Sequence, residues 1–145
     1  MTERTIQSVE PHQASVVVVE DNADNLFIIV DMLREDVRVK YCNARASGRQ
    51  LFKLLETQAI LPVDLILLDI QIPYEDGYAV LRQIRETPAL LQTKVVAVTA
   101  NVLPQDVQRA REEGFDGFIG KPLNADRFPE QILRILGGES VWEPR

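Results

Sequence analysis

The sequence predicts an α/β fold, a doubly wound parallel sheet of five strands and five helices in the strand order 2-1-3-4-5. Two observations carry this. Strand-like segments alternate with segments of helical period along the chain, the pattern that builds a parallel sheet covered on both faces. Three strand segments, VVVVE (16–20), residues 64–69 and KVVAVTA (94–100), are apolar nearly throughout and therefore central, whereas VRVKYC (37–42) alternates Val37, Val39 and Tyr41 with Arg38 and Lys40, as an edge strand with one wet face does. Right-handed crossovers then favour the stated order, the flavodoxin-like arrangement, with a ferredoxin-like or other α/β order formally open at this point.

The elements follow in order. Residues 1–14 are polar, mixed and without period, and are expected to be a flexible leader, with His12 a leader residue of no special role. After the first strand, Leu26, Ile29, Val30 and Leu33 fall at i, i+3, i+4 and i+7 and predict a helix, which Asp21 or Asn22 is placed to cap. Residues 45–57 form a second helix around Leu51, Leu54 and Leu55. GYAVLRQIRE (77–86) forms a third, with Val80, Leu81 and Ile84 inward. The fourth helix starts with Pro104 in its first turn and stops at Gly114, and its apolar face, Val107 and Ala110, is thin. FDGFIG (115–120) is a short last strand. Phe128, Ile132, Ile135 and Leu136 share a face of the fifth helix, with Pro129 in its first turn, where a missing N–H loses no intrahelical bond. The expected organisation is a leader (1–14), one domain (15–137) and a tail (138–145) in which Trp142 packs on the domain.

At 145 residues the chain suits one domain with a full core. A net charge of −6 without a basic block argues against nucleic-acid or anionic-membrane surfaces. No apolar run reaches transmembrane length and no signal-peptide order is present, so a cytoplasmic protein is expected. Cys42, the only cysteine, reads as a small core residue. Arg38, Lys40 and Arg45 read as the solvated edge of the second strand.

In such a sheet, ligands sit at the carboxyl ends of the strands near the switch point between strands 1 and 3. Those ends carry Glu20 and Asp21, Asp69, Thr99 and Lys121. Singly, each has an ordinary reading: Asp21 a helix cap, Asp69 a loop cap, Thr99 a strand-end hydroxyl, Lys121 a solvated charge. Together they make a site. Two carboxylates about 5 Å apart repel by roughly 3 kcal/mol at an effective dielectric near 20. One lysine offsets one of three negative charges, so either a carboxylate is protonated or a divalent cation binds. Oxygen ligands without His or Cys point to Mg²⁺. Thr99 and Lys121 suit phosphoryl oxygens, and an aspartate is the candidate nucleophile of a magnesium-assisted phosphoryl transfer.

The motifs VVVVEDN, LILLDIQIP, VAVTAN and FIGKPL stand in this order, with 30 residues from Asp69 to Thr99 and 22 from Thr99 to Lys121. From about Ser15 to Leu136 the sequence resembles the receiver domain of two-component response regulators. The resemblance implies that Asp69 accepts a phosphoryl group from a histidine kinase or phosphotransfer protein. It implies Mg²⁺ held by Asp21, Asp69 and the Gln71 backbone carbonyl, with Glu20 acting through water, and Thr99 and Lys121 on the phosphoryl oxygens. It makes Phe118 an aromatic switch that turns inward when Thr99 moves toward the phosphate, and a cis Lys121–Pro122 bond usual. Gln71 and Asn101 take positions that tune phosphoryl lifetime. Phosphorylation would bias a protein-binding surface of the fourth helix, fifth strand and fifth helix, through which a homodimer is also plausible.

With nine residues after Leu136, the expectation is a single-domain regulator, a phosphoacceptor rather than a classical enzyme, whose output is binding a downstream protein. The alternatives are a receiver fragment of a hybrid kinase and a phosphate-independent interaction module on the same fold. An aspartyl-phosphate phosphohydrolase would want a second aspartate where Gln71 stands, and a flavodoxin would want an uncharged phosphate loop where EDNADN stands.

Overall fold

Buried backbone amides and carbonyls must be paired, and the apolar segments pair with one another. In the computed structural model, which describes residues 8–57 and 62–145, the strands are β1 (Ser15–Val19), β2 (Tyr41–Arg45), β3 (Leu65–Leu68), β4 (Lys94–Thr99), β5 (Gly117–Gly120) and β6 (Trp142–Glu143). They form one parallel sheet in the order β2-β1-β3-β4-β5-β6. The helices are α1 (Ala23–Met32), α2 (Gly48–Glu56), α3 (Gly77–Arg85), α4 (Pro104–Glu113) and α5 (Arg127–Leu136). The doubly wound, flavodoxin-like order expected for the first five strands is the order observed.

Because side chains alternate along a strand, the all-apolar central strands feed two cores. Val17, Val19, Ile66 and Leu68 face α2 and α3. Val16, Val18, Leu65 and Leu67 face α1 and α5. Burying each such side chain contributes about 1.5–3 kcal/mol, which fixes the register and with it the strand ends. Helix starts are set by local caps: Asn22 accepts the Asn25 amide at 2.9 Å, and Ser47 accepts that of Gln50 at 3.1 Å. Gly114 ends α4 with φ of 106°, a left-handed conformation that favours glycine.

Three expectations are corrected. The second strand is Tyr41–Arg45 rather than 37–42. The first helix continues through a π turn, Leu33–Val37, that closes on left-handed Arg38 (φ 64°), so Val37 is buried from a turn and Tyr41 is exposed. The face of α1 is rotated as well: Ile29, Met32 and Leu33 are buried, while Leu26 and Val30 are only partly covered. Residues 8–14 are docked rather than loose. The Val9 amide donates to the Leu136 carbonyl at 2.8 Å, Pro11–Gln13 forms a 3₁₀ turn, and Ala14 is buried. The rest of the expected leader, 1–7, lies outside the described residues. Within the expected tail, Trp142 and Glu143 are a strand, added beside β5.

Candidate functional site

Three of the residues singled out at the strand ends, Glu20, Asp69 and Lys121, are each held by one further bond of the sheet. The Glu20 amide donates to Arg45 O at 3.0 Å, the Asp69 amide to Val19 O at 3.1 Å, and the Lys121 amide to Thr99 O at 2.9 Å. The side chains therefore leave a rigid rim instead of a loop. Glu20, Asp21 and Asp69 each offer a carboxylate oxygen, and these oxygens lie within 4.8 Å of one another. Lys121 Nζ donates to Asp69 Oδ2 at 3.0 Å and to Glu20 Oε1. The Gln71 amide donates to Asp69 Oδ1 at 2.9 Å, so both oxygens of Asp69 are engaged.

Charge is not balanced. Within 4.8 Å of one another, each carboxylate pair repels by about 3 kcal/mol or more at an effective dielectric near 20, and one ammonium serves two of the three. Burial pulls the Lys121 ammonium toward neutrality, but its hydrogen bonds to Glu20 and Asp69 outweigh this and raise its pKa. Glu20 Oε2 is buried and has no hydrogen-bond partner. An unpartnered buried carboxylate oxygen is costly, and beside two further carboxylates it fits a hard, oxygen-binding divalent cation.

Thr99 is fully buried at the end of β4, opposite Gly120 in register, and its Oγ1 accepts the Asn101 amide at 3.2 Å. Phe118 is also fully buried, between Ala97 and Trp142 in register. It already occupies an inward position here. The Lys121–Pro122 bond is cis. A depression of about 390 Å³ adjoins Lys121, lined by Asn25, Ile28, Ala100, Pro122 and Leu123, and Phe27 and Ile28 on α1 are exposed beside it.

Two positioning residues escape the motifs. Glu75 accepts the amides of Gly48 and Arg49 at 2.8 and 3.1 Å, tying the loop after β3 to the start of α2. That loop is a small hairpin, Gln71–Ile72 against Glu75–Asp76, turned at Tyr74 with φ of 64°. Gly77 lets it fold back, since a Cβ there would lie 2.6 Å from the Ile70 backbone. A Pro-x-x-Asp-Gly stretch signals such a turn, but no local signal foretells the reach of Glu75 to α2.

Comparison with known proteins follows the same lines. The family model for the response regulator receiver domain matches residues 16–133. The chain is 33% identical over 127 residues to the polar-differentiation response regulator DivK of Brucella ovis, covering 85% of this chain and 96% of that one. It is 33% identical over 128 residues to the signal transduction histidine-protein kinase BarA of Escherichia coli, covering 88% of this chain but spanning only 13% of that kinase. Among solved structures, the chemotaxis response regulator CheY4 of Vibrio cholerae superposes with a TM-score of 0.74 at 22% identity, covering 86% of this chain and 99% of that one, a likeness of fold.

Proposed function

Since the chain belongs to the response regulator receiver domain family of two-component systems, we propose that Asp69 is its phosphoacceptor and that phosphorylation switches a protein-binding surface. The observation that carries this is the placement of Asp69: its carboxylate is fixed at a strand end, with Lys121 Nζ at 3.0 Å and two further carboxylates within 4.8 Å. An Asp69 oxygen attacks the phosphorus of a phosphorylated imidazole on a histidine kinase or phosphotransfer protein. The P–O bond forms as the P–N bond breaks, and the departing imidazole takes up a proton from solvent. Lys121 stays charged and transfers its hydrogen bonds to phosphoryl oxygens, and the Thr99 hydroxyl donates to another. Asp21, Asp69 and the Gln71 carbonyl would hold Mg²⁺, with Glu20 acting through water. The ion supplies positive charge that neutralises the carboxylates and the incoming phosphoryl oxygens. Gln71 and Asn101 flank the site and set water access to the acyl phosphate.

Exposed Phe27 and Ile28, beside the depression at Lys121, give the phosphodonor an apolar place to dock. The output face is α4, β5 and α5, on which a downstream protein or a second copy would bind. The work is done in the cytoplasm; no helix among the described residues is long and apolar enough to cross a membrane. The test is intact mass after incubation with Mg²⁺ and acetyl phosphate, with Asp69→Asn alongside. One alkali-labile phosphoryl group on the parent chain alone supports the reading. A chain that gains none from acetyl phosphate or from a phosphorylated histidine phosphotransfer domain is a phosphate-independent module instead.

A further inference from the structure

Residues 141–144 lie along the outer edge of β5, between α4 and α5. The Phe118 amide donates to the Val141 carbonyl at 2.8 Å, and Phe118 and Ile119 stand opposite Trp142 and Glu143 in parallel register. The strand is shaped to receive a neighbour. A Cβ on Gly117 would come within 2.7 Å of Val141 O, and one on Gly120 within 2.0 Å of Pro144 O. Two of the four residues of β5 are thus glycines against which another backbone packs.

The walls of this seat are cationic. From α4, the Arg111 guanidinium lies 4.0 Å from the centre of the Trp142 ring. From α5, Arg134 and Arg127 reach the Glu143 carboxylate at 2.7 and 3.1 Å, and buried Gln131 donates to it at 2.9 Å. In a chain of net charge −6, three guanidiniums converge on one strand edge. Alongside Pro144 and Arg145 the groove widens against α4 into a cavity of about 720 Å³, lined there by Val102, Val107, Gln108 and Glu112. β6 is two residues long, Trp142 and Glu143 are only partly buried, and the segment is tethered through Gly137 and left-handed Gly138. Val141 anchors the segment in the core, so the seat for which a longer segment of like chemistry competes is that of Trp142–Pro144, with affinity from backbone pairing and specificity from alternate side chains.

We propose that the outer edge of β5 is a strand-accepting groove for an extended segment of a partner protein carrying an aromatic residue followed by a carboxylate, and that residues 142–144 are its resident, displaceable occupant. While they are seated, the face is closed. Use of the groove as the output of a switch rests on the phosphoacceptor reading above; the groove itself does not.

The test uses a fluorescein-labelled peptide of sequence ESVWEPR, residues 139–145, titrated by anisotropy against full chains. In the parent the seated segment competes at an effective concentration of order millimolar. The double variant Trp142→Ala, Glu143→Lys, which frees the seat, binds the peptide at least tenfold more tightly than the parent. Adding Gly120→Val abolishes that binding. Adding Arg134→Glu, a surface change that leaves the core intact, weakens it at least fivefold. Equal binding to parent and freed chain, indifference to Arg134→Glu, or no binding to the freed chain each overturns the proposal. Repeating the titration on a chain shown by mass to carry a phosphoryl group gives a shift of threefold or more; no shift overturns the output role. A chain that takes no phosphoryl group fails the phosphoacceptor reading, and the peptide result stands separately.

Discussion

Replacing Lys121 by methionine tests whether the charge balance at the strand ends governs both stability and cation binding. The ammonium bonds Glu20 and Asp69, whose side chains are 2% and 9% exposed, so water screens the contact little. Removing one partner of a buried ion pair costs about 3–5 kcal/mol. The carboxylates left behind, with oxygens within 4.8 Å of one another, repel by about 3 kcal/mol or more per pair. Methionine keeps the apolar reach of the lysine stem, so packing changes little. Lys121→Met therefore lowers the unfolding free energy by about 3 kcal/mol at pH 7 in EDTA. A divalent cation then takes the place of the lost charge: magnesium at a hundred times its Kd returns about 2.7 kcal/mol, and the variant binds it more tightly than the parent. Urea unfolding followed by circular dichroism, in EDTA and in magnesium, reads both effects. A loss below about 1 kcal/mol, or one that magnesium does not reduce, refutes the charge argument.

Three further outcomes are expected. Glu75→Ala removes the acceptor of two amides at the start of α2 and costs about 1–2 kcal/mol by thermal or urea unfolding. Gly114→Ala meets no atom within 4 Å but must hold φ of 106°, so it costs about 1–2 kcal/mol of purely conformational origin, read in the same way. Arg134, then Gln131 and Arg127, hold the Glu143 carboxyl down to about 2. A depressed carboxylate stabilises fully above its ordinary value near 4.5 and loses that stabilisation as pH falls through the folded value. Of the other charged groups around it, Arg111, Arg127 and Arg134 stay charged throughout this range, and Glu130 and Glu139 face it through Arg134. Acrylamide quenching of Trp142, the only tryptophan, therefore rises between about pH 4.5 and 2, and Glu143→Gln shows no such step.

The central strands were legible because a strand buried on both faces leaves a continuous apolar run, and the site because its residues stand where those runs stop. Glu20, Asp21, Asp69 and Lys121 stand together at those strand ends. The second strand was misplaced because Val37 and Val39 do pack inward, one from a π turn and the other from just beyond left-handed Arg38. Alternation alone cannot tell such a turn from a pleat. Trp142 and Glu143 form a strand too short to show a period, and what seats them is tertiary: glycines on β5 and arginines on α4 and α5. The inward position of Phe118 is likewise decided by neighbours, among them Trp142, which its own motif does not contain.

The sheet edge formed by β6 has a bearing on solubility. An open strand edge templates the addition of other chains, and proteins guard such edges with short strands, charge and proline. β6 offers two residues, one of them acidic, and is followed by Pro144, which has no N–H to give. Vacating that position would bare the Gly-Phe-Ile-Gly strand, an apolar edge with nothing to stop a neighbour from pairing. The segment seated there thus also guards an edge open to pairing, and a partner taking its seat as proposed would have to take over that guard duty.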